Sequence, residues 1–113
     1  MADPALDTAG LVTETETAWI PMADGRRLAA RLFLPSEAGP SPVILEYIPY
    51  RRRDGTRLGD ERMHRWFAAH GYAAARVDIA GSGDSDGLIE DEYVLREQDD
   101  GMAVIQWLAD QPW

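Results

Sequence analysis

Two short apolar runs, VILEYI at residues 43–48 and YAAARVDI at residues 72–79, constrain the fold more than any other feature of this sequence. Both have the length and residue types of buried strands, and Pro49 stops the first. Between them, GDERMHRWFAAHG places Met63, Trp66, Phe67 and His70 at helical spacing. Asp60 is available to cap the start of that helix, and Gly71 suits the residue after its end. A second helix is predicted over roughly residues 96–110, closed by Pro112. Strand, helix, strand and helix in that order imply parallel strands joined by a right-handed crossover.

Ahead of this unit, residues 13–21 and 26–34 are rich in Thr, Trp, Ile, Leu and Phe and flank the turn signal Asp24-Gly25, which predicts a β-hairpin. Residues 35–42 form a Pro/Gly/Ser loop. Residues 1–12 carry no periodicity and read as a flexible tail, leaving residues 13–113 as the folded unit. The class is α/β, a leading hairpin followed by β-α-β-α, with no internal repeat.

Composition narrows the chemistry. A chain of 113 residues with 45% hydrophobic residues supports one modest core. Twenty acidic against eleven basic residues give a net charge of -9, opposite to the footprint of a nucleic-acid binder. All eleven basic residues are arginine, which excludes lysine Schiff-base and lysine-base chemistry, and the absence of cysteine excludes thiolates and disulfides. With neither a positively charged leader nor an apolar run of ~20 residues, the reading is a cytoplasmic protein without a membrane partner. No cofactor or metal is expected.

The glycine-rich loop AGSGDSDG, residues 80–87, offers three readings that spacing tests. A dinucleotide fingerprint would need its third glycine at Asp86, one place before Gly87, and the added carboxylates would repel a pyrophosphate. A calcium loop starting at Ser82 would need its closing glutamate at Tyr93. Gly83-Asp84-Ser85-Asp86-Gly87 matches a G-x-S-x-G nucleophile elbow, yet no helix follows at once and no histidine follows Ser85. Two flanking carboxylates also oppose oxyanion formation, so Ser85 reads as a turn residue.

His70 ends the apolar helical stripe and reads as a helix-end partner, whereas His64 falls on the charged face and reads as a solvated residue. Their six-residue spacing does not share one helical face, which argues against a metal pair. Glu90-Asp91-Glu92 reads as a solvated acidic face, with attraction of a substrate ammonium as the alternative. Arg51, Arg52 and Arg53 would suit a phosphate or carboxylate ligand, but in so acidic a chain pairing with aspartates and glutamates is the simpler expectation.

Taken together, EYIPYRRRDG, HRWFAAHGYAAARVDIAGSGDSDG and the terminal WLADQPW resemble the X-prolyl dipeptidyl peptidase and cocaine-esterase (CocE/NonD) family of α/β-hydrolases, from about Thr13 to Trp113. In that family the strand ending in a Pro-Tyr pair presents the tyrosine hydroxyl to the oxyanion hole, and the matching residue is Tyr50, with Tyr47 left as strand core. On the residues alone Tyr50 reads as an amphipathic strand-end residue. The family's aspartate-arginine-glycine loop is matched by Asp78, Gly81, Gly83, Ser85 and Gly87, with Ala80 in place of the arginine.

The resemblance implies an N-terminal portion of an α/β-hydrolase, truncated before the nucleophile elbow. This chain would lack the triad and be catalytically silent alone, and the complete enzyme would act on a small-molecule ester or peptide. It also implies that the 43–48 strand has an open edge through which the chain self-associates. The contrasting expectation is a non-enzymatic α/β module that binds a partner through that edge.

Overall fold

The computed structural model describes residues 10–37, 39–49, 51–53, 55, 57–89 and 94–113. Its elements are strands β1 (Val12–Pro21), β2 (Arg27–Pro35) and β3 (Val43–Ile48), helix α1 (Arg57–Ala69), strand β4 (Ala73–Asp78) and helix α2 (Leu95–Ala109). The sheet order is β1-β2-β4-β3, with β2 antiparallel to β1 and β4, and β3 parallel to β4. The hairpin, both buried strands and both helices stand where the sequence predicts them. The hairpin turn closes where the Met22 N–H donates to the Arg26 carbonyl at 2.8 Å. At the end of α1, Gly71 takes a positive φ of 93°, and the Tyr72 N–H returns to the Phe67 carbonyl at 3.0 Å.

Strand register sorts the side chains into two faces, because directly paired residues project to the same side. Ala30 opposite Val77, Leu32 opposite Ala75 and Leu45 opposite Ala75 lie on one face, where Val104 and Leu108 of α2 join them. This is the apolar core. Arg31 opposite Arg76, and Arg76 opposite Glu46, lie on the other face. The apolar cluster on that side is small, comprising Phe33, Ala74 and Ala68 of α1, with Val12 packed against it.

The remainder of the α1 face is ionic. Arg31 and Arg76 are 1% and 0% exposed. Arg31 donates to Glu14 and lies 3.3 Å from Glu16, while Arg76 donates to Glu46 at 3.0 Å. Guanidinium groups cannot shed their charge on burial, so each is tolerated only with carboxylates brought to it.

This layer corrects the orientation read for α1. Met63 and Trp66 are 42% and 43% exposed, whereas His64 is fully buried together with Asp60 and Ala68. The helix stripe that meets buried arginines is the one bearing a carboxylate and an imidazole, not the one bearing the largest apolar groups. Asp60 is likewise not a cap: α1 begins at Arg57, and the Asp60 carboxylate lies 3.5 Å from Arg76 Nη1. Burial pushes that carboxyl above the usual aspartate range, with Arg76 and His64 opposing the shift. Among the described residues, no helix is long and apolar enough to cross a membrane.

Candidate active site

Open α/β sheets take ligands beyond the carboxyl ends of their parallel strands, which here are Ile48 of β3 and Asp78 of β4. The loops that follow these strands meet at the Asp78 side chain, which is fully buried. Its Oδ1 accepts the Arg52 N–H at 2.8 Å and its Oδ2 accepts the Asp84 N–H at 3.2 Å. Gly83 lies against the same carboxylate with φ at 54°, and a Cβ there would come 2.7 Å from Asp78 Cγ. A glycine is required at that position for both reasons.

Arg52 fills the space between the loops. Its guanidinium donates through Nη1 to the Glu16 carbonyl, and through Nη2 to Thr17 Oγ1 and Asp84 Oδ2, each at 2.9 Å. Its Nε lies 3.3 Å from Asp78 Oδ2. Arg53 turns outward and pairs with Asp84 at 2.9 Å. Arg51, Arg53, Asp78, Gly83 and Asp84 line an open cleft at this end of the sheet. Pairing with carboxylates therefore accounts for Arg52 and Arg53, as expected from the acidic composition.

The glycine-rich loop runs back along the start of β2. Ser85 Oγ accepts the Ala29 N–H at 2.8 Å and donates to the Asp78 carbonyl at 2.6 Å. The Asp86 N–H donates to the Arg27 carbonyl at 2.8 Å, and Asp86 Oδ2 accepts the Arg27 N–H at 2.9 Å. That backbone bond holds the Asp86 carboxyl below its usual range. Ser85 thus prolongs the β2 ladder beyond the end of β4, the turn role that its context suggests. Its hydroxyl is committed both as donor and as acceptor.

Tyr50, the oxyanion donor that the family resemblance implies, lies outside the described residues, as do Glu90, Asp91 and Glu92. Tyr47 is described: it is partly buried, its ring packs against the apolar core, and its hydroxyl donates to the Glu97 carbonyl of α2 at 2.9 Å. Burial raises its phenol pKa well above the usual value. His70 acts as the expected helix-end partner, with Nδ1 2.7 Å from the Trp66 carbonyl oxygen.

His64 is the residue whose environment the sequence reading missed. Its Nε2 lies 3.4 Å from Glu46 Oε1, and its ring meets Phe33 edge-on at 5.7 Å. Glu46, Asp60 and His64 place potential ligand atoms within 4.8 Å of one another. Arg76 already holds a cation's place there, 3.0 Å from Glu46 and 3.5 Å from Asp60. These residues fit a guanidinium-centred cluster better than a metal. A signal was present in Asp60, His64 and Ala68, which recur every four residues on one helical face, but two of the three are polar.

Comparison with known proteins adds a second line. The X-Pro dipeptidyl-peptidase (S15 family) model matches residues 24–113. A Mycobacterium bovis protein named as a serine esterase is 35% identical, over 84% of this chain and 18% of that protein. The cocaine esterase of a Rhodococcus species is 34% identical, over 83% of this chain and 16% of the esterase. The crystal structure of a CocE/NonD family hydrolase from Staphylococcus aureus superposes with a TM-score of 0.78 at 21% identity, over 90% of this chain and 21% of that one. The chain therefore spans about a fifth of the length of these three proteins.

Proposed function

The chain belongs to the X-Pro dipeptidyl-peptidase (S15) family, and from that premise we propose that it is the N-terminal part of a serine hydrolase that cleaves small esters or amides by acyl transfer. The observation that carries this reading is the junction at Asp78, which ties both loops at the carboxyl ends of the parallel strands through Arg52 and Asp84. In the proposed reaction a serine, deprotonated by a histidine that an aspartate orients, attacks the acyl carbon. The carbonyl oxygen then gains negative charge, and the Tyr50 hydroxyl donates a hydrogen bond to it beside a backbone N–H.

The serine, histidine and aspartate of this reaction come from outside these 113 residues. Ser85 spends its hydroxyl on Ala29 and Asp78, and His64 is buried beside Glu46 on the sheet-facing side of α1. The relatives' names point to ester substrates and the family's description to X-Pro peptides, and one acyl-transfer mechanism serves both. The 113-residue chain should show no turnover of p-nitrophenyl acetate or butyrate above a heat-treated control. Turnover that disappears in Ser85→Ala would overturn the reading and restore Ser85 as nucleophile.

A second reading rests on one observation: among the described residues β3 pairs with β4 alone, at the edge of the sheet. A non-enzymatic α/β module would use that edge to bind a partner. Absence of turnover in the full-length polypeptide that carries this segment, together with retained partner binding, would favour it.

A further inference from the structure

We propose that Arg52 is the positioning residue of this site, a sealed guanidinium that locks the loop carrying Tyr50 against β1 and against the loop after β4. The inference rests on the reading of Tyr50 as an oxyanion donor. Of the three consecutive arginines, Arg51 and Arg53 are exposed, whereas the Arg52 side chain is 0% exposed. A guanidinium remains charged when buried, so its cost is met only by acceptors placed around it.

Those acceptors come from two parts of the chain. The β1 register shifts between Thr15 and Ala18, and the Glu16 carbonyl and Thr17 hydroxyl of this irregular stretch both turn to Arg52. Bulges leave backbone groups without ladder partners, and here the arginine supplies the donors. The second part is the end of β4 with its loop, through Asp78 and Asp84. The Arg52 N–H also ends on Asp78. Main chain and side chain of one residue are therefore held by the same buried carboxylate.

Arg31 and Arg76, by contrast, pair with Glu14, Glu16, Glu46 and Asp60, groups of the strands and of α1. Among the described residues, Arg52 is a fully buried arginine whose partners include the loop after β4. It stands two residues after Tyr50 in the sequence, so at most about 7 Å of chain separates the held residue from the proposed donor. A lysine would retain the charge, but its single nitrogen cannot span acceptors on β1 and on the far loop. Misplacing a catalytic donor by even about 1 Å can lower a rate by about 10²-fold.

The test is a double-mutant cycle in the full-length polypeptide with an ester substrate, supported by hydrogen exchange at the Arg51–Arg53 amides. Arg52→Lys should accelerate exchange and lower kcat by about 10²-fold with KM little changed. In a Tyr50→Phe background the same change should lower kcat by less than about threefold, because the donor it positions is already gone. A purely structural role would give additive losses and would overturn the proposal. If Arg52→Lys fails to fold, Thr17→Val and Asp84→Ala each remove one acceptor of Nη2 and should give smaller kcat losses in chains that still unfold cooperatively. No loss in either overturns it. If Tyr50→Phe leaves kcat unchanged, the oxyanion reading falls and takes this proposal with it, while accelerated exchange in Arg52→Lys would still report the loop lock separately.

Discussion

Tyr47 and Tyr50 stand three residues apart, and their chemistry separates them. The Tyr47 hydroxyl is spent on the Glu97 carbonyl, so it serves to fasten α2. Tyr47→Phe should cost about 1 kcal/mol of stability in urea unfolding and, under the proposed function, leave kcat of the full-length polypeptide near normal. Tyr50→Phe should do the reverse, lowering kcat and kcat/KM together by roughly 10²- to 10³-fold while stability holds. If Tyr47→Phe proves the damaging change, the assignment is wrong. Glu16 provides a pH test at the same scale. Its hydrogen bonds from Arg57 hold its carboxyl below the usual glutamate range against desolvation, with Arg31 and Arg52 adding attraction. A carboxyl with a lowered folded pKa adds stability above its unfolded pKa and loses it as pH falls through the folded value. The advantage of the parent over Glu16→Gln should therefore be present at neutral pH and vanish in acid. Because Glu16 is 43% exposed, it should stay below about 1 kcal/mol.

Helix α1 shows how an element can be located correctly and yet turned the wrong way. Its apolar residues at helical spacing mark a helix, but large apolar groups near solvent are common and do not by themselves identify the buried stripe. Here the buried stripe is Asp60, His64 and Ala68. Ala68, 1% exposed against Phe33 and Ala74, has no room to grow, so Ala68→Gln should cost about 1–3 kcal/mol. Met63→Gln, at a position 42% exposed, should stay within about 0.5 kcal/mol. Thermal unfolding of the two variants measures the contrast, and equal losses would refute the observed orientation. Helix α2 is fastened differently, by Val104 and Leu108 in the core and by the Arg26 guanidinium, which donates twice to Asp100 at 2.8 Å.

At the scale of the molecule, the decisive feature is that β3 is the last strand of the sheet among the described residues. Beside that strand an apolar groove lined by Val43, Leu45, Ile105, Leu108 and Trp113 continues onto the exposed face of α2. Unpaired strand edges beside apolar surface favour association. The isolated chain should therefore form oligomers whose light scattering grows with concentration. Ile105→Glu, at a position 57% exposed, should reduce scattering without lowering the melting temperature. A compact monomer with sharp, well-dispersed amide resonances would contradict the prediction.

Element type and order were legible from the sequence because strand and helix periodicities depend on near neighbours. The apolar runs at residues 43–48 and 72–79, the turn at Asp24-Gly25 and the glycine after α1 each declare themselves within a few residues. The family was legible for a related reason, since its motifs are contiguous strings. What only the tertiary structure decided is the partnering of charge. Arg76 meets Glu46 from 30 residues away, and Arg52 meets the Glu16 carbonyl from 36. Local pattern assigns such residues to solvent, because an ionised side chain without a partner is too costly to bury. The fold reverses that assignment by bringing the partners together, and in doing so it places Arg52 between the two loops where the chemistry is proposed.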